Sequence, residues 1–143
     1  MTIKEIENQL IDDFGLFDDW MDKYNYIIEI GKDIPLIDEH YKTPQYLISG
    51  CQSQVWLHAD FIDGKVIFTA DSDAIITKGI VNLLIKVLSH QTPQDILEAD
   101  LGYIDQIGLK DHLSPTRSNG LLSMIKQLKM YALAFQQQSK RLS

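Results

Sequence analysis

One residue of this chain carries a thiol. Cys51 lies in "ISGCQSQVWLHADF", on a Ser-Gly step just ahead of a run that reads as a strand. A thiolate is a nucleophile, so a lone cysteine is either inert packing or the reactive centre. Free cysteine is among the most buried residue types and usually behaves as a small hydrophobe. The neighbours of Cys51 argue otherwise, because Ser49, Gly50, Gln52 and Ser53 are small or polar. Gly50 admits φ > 0, which suits a tight loop and not the centre of a packed strand. The pattern therefore predicts a loop thiol. No base is adjacent to it in sequence, so any base must come from elsewhere in the fold.

Other chemistries find less support. One cysteine forms no disulfide within the chain, and a thiolate-ligated iron–sulfur cluster wants about four ligands. The four histidines, His40, His58, His90 and His112, show no metal-ligand spacing. No Gly-rich phosphate loop and no G-x-S-x-G step occurs. We expect no metal and no cofactor held by this chain.

Composition sets the frame. The chain has 143 residues, 45% hydrophobic and 23% charged, with a formal net charge of -7. That profile predicts one folded domain over residues 1–143, large enough to bury an ordinary core. Lys and Arg are not clustered, which argues against nucleic acid as a partner. No apolar run has the length of a signal peptide or a membrane span, so a cytoplasmic protein with no membrane partner is expected.

The elements that must position Cys51 follow from periodicity. Ile3, Ile6 and Leu10 keep a helical spacing, and Phe17, Trp20, Met21, Tyr24, Ile27 and Ile28 predict a second helix, stopped by Gly31 and Pro35. Asp63-Gly64 lies between two strand-like runs, the favoured signal for a two-residue hairpin. In that register Phe61 faces Val66, Ala59 faces Phe68 and Leu57 faces Ala70, giving one wholly apolar face. The other face is mixed, and Trp56 on it is expected beneath a helix. "QYLIS" is expected to add a third antiparallel strand, with Cys51 on the loop between it and the hairpin.

Asp71, Ser72 and Asp73 are read as caps for a helix whose apolar side is Ile76, Ile80, Leu83 and Val87. Thr92-Pro93 opens a short helix. The turn-rich "LSPTRSNG" precedes a last helix with Leu121, Ile125, Leu128, Ala132 and Phe135 on one side. The class is α+β, a small antiparallel sheet of about three strands with helices packed around it.

"SGCQSQVWL" resembles the signature of the SufE family of sulfur acceptors, partners of cysteine desulfurases in iron–sulfur cluster assembly. "KYNYIIEIG", "DSDAIITKG", "TPQDIL" and "LSPTRSNGL" resemble family segments in the family's order, over about residues 14–135. The resemblance implies the SufE/NifU-type fold. Scaffold members of that fold use several cysteines; one cysteine matches the carrier branch. By the same resemblance Cys51 takes persulfide sulfur from a desulfurase, SufS-like or related, and passes it to a scaffold such as a SufB-containing complex. The pyridoxal phosphate belongs to the desulfurase. Arg117, in "SPTRSNG", matches a family motif and is expected near the Cys51 loop, where a guanidinium would stabilise thiolate or persulfide. The apolar hairpin face and the helix beginning near Ala74 are expected to line a space that shelters the thiol until docking swings the loop out. The resemblance points the same way, implying a cysteine at a loop tip over an apolar cavity.

A different reading stays open at this point. The chain would bind a desulfurase without covalent transfer and regulate it, with Cys51 as packing or as a redox-sensitive thiol. For the carrier, tuning the thiol matters little. A drop of about two pKa units raises the thiolate fraction roughly 12-fold but cuts nucleophilicity roughly 8-fold. Positioning contributes far more.

Overall fold

The computed structural model describes residues 1–142. Helix α1 (Ile3–Phe14) opens with a reciprocal capping box, in which the Glu5 N–H donates to Thr2 Oγ1 and the Thr2 N–H to Glu5 Oε1. Helix α2 (Trp20–Gly31) is capped by Asp19 and turns Ile27 and Ile30 into the core. Phe17 precedes this helix, and Met21 is exposed, so both leave the face that spacing alone assigned to them.

Strands β1 (Val55–Ile62) and β2 (Lys65–Ser72) pair antiparallel in the expected register, from Val55 opposite Ser72 to Ile62 opposite Lys65. Asp63 and Gly64 both take positive φ, 52° and 78°, as a tight hairpin turn on a right-twisted ribbon requires. Val55, Leu57, Ala59, Val66, Phe68 and Ala70 are buried, so the apolar face lies inward.

The sheet has two strands, not about three. Pro44–Tyr46 is a 3₁₀ turn, which removes Gln45 and Tyr46 of "QYLIS" from extended backbone. What remains makes a single bridge from Leu47 to Trp56, with the Ile48 N–H donating to the Val55 carbonyl. The positive φ of Gly50 (90°) then ends the pairing. The mixed face is met by the 3₁₀ turn Glu39–Tyr41 and the residue after it, not by the long helix expected over Trp56. Tyr41 stacks on His58 at 3.9 Å and Lys42 stands over the Trp56 ring, so the connector between α2 and β1 is the lid.

Helix α3 (Ile75–Leu88) is the centre of the molecule. Its predicted stripe is buried, but so are Thr77, Gly79, Val81, Asn82, Leu84, Ile85 and Leu88. It packs against α1, α2, β2 and α6 together, which leaves only Ile75, Lys78 and Lys86 reaching outward and widens the apolar stripe well beyond one face. At its crossing with α2, Gly31 and Gly79 let the backbones meet; a Cβ on Gly31 would stand 2.8 Å from the Gly79 nitrogen. Buried Asn82 donates to the Ile30 carbonyl at 2.7 Å, satisfying a carbonyl at the end of α2.

The expected caps of α3 do other work. Ala74 is its N-cap and no side chain caps it. Asp71 instead bridges Lys42 at 2.6 Å and Lys78 at 3.1 Å. Burial works against its charge, yet Lys42, the Ser72 N–H and Lys78 together hold the carboxyl below its usual range. Asp73 accepts from the Gln54 N–H at 3.0 Å and donates its own N–H to the Gln54 carbonyl, tying the end of the Cys51 loop to the start of α3.

Helix α4 (Pro93–Glu98) opens on Thr92-Pro93 as expected, and α5 (Tyr103–Gln106) follows. The last helix, α6 (Pro115–Leu142), begins earlier than its apolar spacing suggested. Ser114 accepts from the Arg117 N–H, and Pro115 occupies the first helical position. The segment read as a turn is therefore the first turns of α6, for the same reason that Thr92-Pro93 opens α4. The far half of α6 covers the hairpin, with Phe135 stacked on Phe61 and the Tyr131 hydroxyl donating to the Leu57 carbonyl.

Candidate functional site

Cys51 sits on the loop between the Leu47 bridge and β1, half-buried against the start of α6. Gly50 places it there. With φ at 90°, position 50 strains any side chain, and a would-be Cβ would stand 2.6 Å from Ser123 Oγ, so that hydroxyl would have to rotate away. The thiol lies 3.7 Å from the Gly120 carbonyl oxygen, a weak S–H donor contact. Gly120 has no side chain to offer, and a Cβ there would touch Sγ at 3.5 Å. The loop is thus seated by two glycines facing opposite ways.

Beneath the thiol is a small cavity of about 50 Å³. Thr77 and Ile80 of α3 and Thr116, Arg117, Gly120 and Met124 of α6 line it, with Cys51, Gln52 and Ser53 as the roof. The hairpin contributes none of these residues, contrary to expectation, because α3 and α6 already occupy its apolar face. The helix beginning near Ala74 does contribute, through its first two turns.

Arg117 lines the same cavity as Cys51, so the fold brings together two residues 66 positions apart. Its guanidinium donates through Nη1 to the Tyr24 hydroxyl on α2. The one influence that moves the thiol is burial, which pushes its pKa upward. In this arrangement Arg117 is parked at the cavity wall and Cys51 holds its proton. Tyr24, Thr77, Thr116, Gly120 and Met124 are site neighbours that sequence reasoning missed. Ser114-Pro115 was the available signal for the α6 residues; nothing local marks Thr77, which stands beside the stripe of Ile76 and Ile80.

A half-buried, protonated thiol has a measurable signature. Alkylation of Cys51 should be slower in the folded protein than in denaturant. Because burial raises the folded pKa, the pH at half-maximal rate should also lie higher than in the denatured chain. Stopped reaction with iodoacetamide across a pH series measures both. Equal rates and equal midpoints would mean a freely exposed thiol.

Among the described residues, no group of three or more His, Cys, Asp or Glu side chains is placed to hold a metal ion, and no helix is long and apolar enough to cross a membrane.

Comparison with known proteins places these features in a lineage. Residues 8–132 match the domain described as "SufE: Fe-S metabolism associated domain". A SufE-like protein of Rhizobium meliloti (strain 1021) is 42% identical over 130 residues, which is 87% of this chain and 93% of the relative. One from Rhizobium etli is 41% identical over 127 residues, 85% of this chain and 86% of the relative. The fold is similar to the solution structure of a hypothetical protein from Thermus thermophilus. The TM-score is 0.75 at 21% identity, covering 90% of this chain and 94% of that one.

Proposed function

This chain belongs to the SufE family, associated with Fe–S metabolism, and on that footing we propose that Cys51 accepts and carries sulfur as a persulfide. The observation that carries this reading is the placement of the single thiol, on a glycine-hinged loop over a small cavity of about 50 Å³. An inert packing cysteine has no need of either.

The donor is the persulfide of a pyridoxal-phosphate-dependent cysteine desulfurase. Cys51 loses its proton and its thiolate attacks the terminal sulfur of that persulfide. The S–S bond of the donor breaks, its cysteine leaves as thiolate and takes up a proton, and a Cys51 persulfide results. No net oxidant or reductant is consumed. A cluster scaffold then attacks the terminal sulfur of Cys51 in the same way. The pyridoxal phosphate stays with the desulfurase, and this chain turns over nothing alone.

Burial raises the thiol pKa, so the resting loop is a poor nucleophile and needs docking to free it. Gly50 can absorb the backbone change, and the exposed Gln52 and Gln54 tolerate solvent when the loop moves. The loop is held at its far end by the Gln54–Asp73 pair, which confines the motion to the few residues around Cys51.

Intact mass after incubation with desulfurase and L-cysteine tests the proposal. One added sulfur on Cys51 supports it; binding to the desulfurase with no adduct supports the regulatory reading instead. Arg117→Ala belongs in the same assay. A guanidinium that swings from Tyr24 to the sulfur during transfer contributes a charge-assisted hydrogen bond, so loading should slow roughly tenfold at saturating acceptor. An unchanged rate with a lower melting temperature would make Arg117 a structural tie between α6 and α2.

A further inference from the structure

Thr77 is buried, with 7% of its surface exposed, and stands in the first turn of α3. Its hydroxyl makes no hydrogen bond among the described residues but is not sealed off from a water-sized molecule, and the residue lines the cavity under Cys51. A hydroxyl that is accessible and unpaired on an otherwise buried side chain is a donor still open to whatever enters the cavity. Two other buried polar side chains on or against α3 are satisfied: Asn82 donates to the Ile30 carbonyl and Tyr103 to the Leu83 carbonyl. The cavity Thr77 faces is about 50 Å³, enough for one further atom of water or sulfur size beyond Sγ. The α3 N-terminus carries no side-chain cap, so the positive end of its dipole lies within one turn of Thr77.

Resting on the carrier reading above, we propose that the Thr77 hydroxyl is the hydrogen-bond donor that seats the terminal sulfur of the Cys51 persulfide inside this cavity. A persulfide is a stronger acid than its parent thiol, so its terminal sulfur is anionic near neutral pH and calls for a donor. Thr77 supplies one without a second positive charge, and Ile80 and Met124 close the apolar remainder. Seated there, the terminal sulfur is withheld from small thiols. When unseated, a thiolate attacks it, the S–S bond breaks, the attacking thiol leaves as its own persulfide and Cys51 departs as thiolate. Thr77 touches neither reactant before loading. It is a positioning residue that sets how long the carrier keeps its cargo.

The test separates this role from the carrier function itself. Cys51 persulfide is made in the purified protein with inorganic polysulfide, without desulfurase, and its loss to reduced glutathione is timed. Thr77→Val keeps the shape of the side chain and removes the hydroxyl; Thr77→Ser keeps the hydroxyl and removes the methyl. Persulfide lifetime should fall roughly tenfold in Thr77→Val, the size of one hydrogen bond to an ion, and remain near wild type in Thr77→Ser. Circular dichroism and melting establish that both variants fold. Equal lifetimes in Thr77→Val and wild type would overturn the proposal, as would equal shortening in both variants, which would assign the effect to packing. A long-lived, Thr77-dependent persulfide that no desulfurase can load would leave the seat intact and remove only the carrier reading.

Discussion

Replacing Cys51 with serine should abolish sulfur acceptance completely and leave the protein folded. A hydroxyl forms no persulfide, so the effect on transfer is a loss, not a reduction. The structural change is small because Sγ is half-buried and its one polar contact is the weak 3.7 Å approach to Gly120. Serine fits the same space, and the stability change should stay under about 1 kcal/mol. The measurement is desulfurase turnover with L-cysteine in the absence of added reductant, with intact mass alongside. If Cys51→Ser accelerated the desulfurase as well as wild type, acceptance on Cys51 would be eliminated and a non-covalent regulator would remain. Binding by the variant without acceleration is the expected outcome, since the docking surface extends beyond one atom.

The largest effect on folding should come from Gly79→Ala, and its sign discriminates between two forces. Helix propensity alone favours alanine over glycine by about 1 kcal/mol in a helix interior. Position 79, however, faces α2, where an added Cβ would fall inside the carbonyl oxygen of Ile27 and against its side chain. Backbone cannot step aside as a flexible side chain can. The helices must separate along a contact that also includes Gly31 and the Asn82–Ile30 bond. Overpacking of this kind costs about 3 kcal/mol and outweighs the propensity gain. The melting temperature should drop by roughly 10 °C by the scaling for a chain of this size. A rise in melting temperature would show that α2 and α3 part easily and that propensity governs the site. Loss of Cys51 shelter should accompany the drop, because Thr77 and Ile80 flank Gly79 on the helix that forms the cavity wall.

Sequence alone determined what depends on neighbours along the chain. Asp63-Gly64 and the alternation on either side set the hairpin register, because a one-residue slip would turn every apolar side chain to the wrong face. Thr92-Pro93 and the i, i+3, i+4 stripes placed helices by local backbone preference and by one-sided burial. Gly50 beside Cys51 marked a loop thiol, since glycine takes a left-handed turn without strain.

Tertiary structure decided everything that depends on which surfaces meet. Asp71 and Asp73 had the chemistry of caps, yet Lys42 and Lys78 claimed one and the Gln54 backbone claimed the other, stronger partners that arrive from elsewhere in the fold. "QYLIS" had strand composition, but the 3₁₀ turn after Pro44 and the bend at Gly50 left it two residues in which to pair. Gly31 read as a stop signal and is also half of a helix crossing, which is visible only when Gly79 lies against it. The cavity is the extreme case. Thr77, Arg117 and Gly120 come from the starts of two helices far apart in the chain, and no periodicity within either one points to Cys51. A cavity is the space that packed elements fail to fill, so its lining is a property of their packing and not of any one segment.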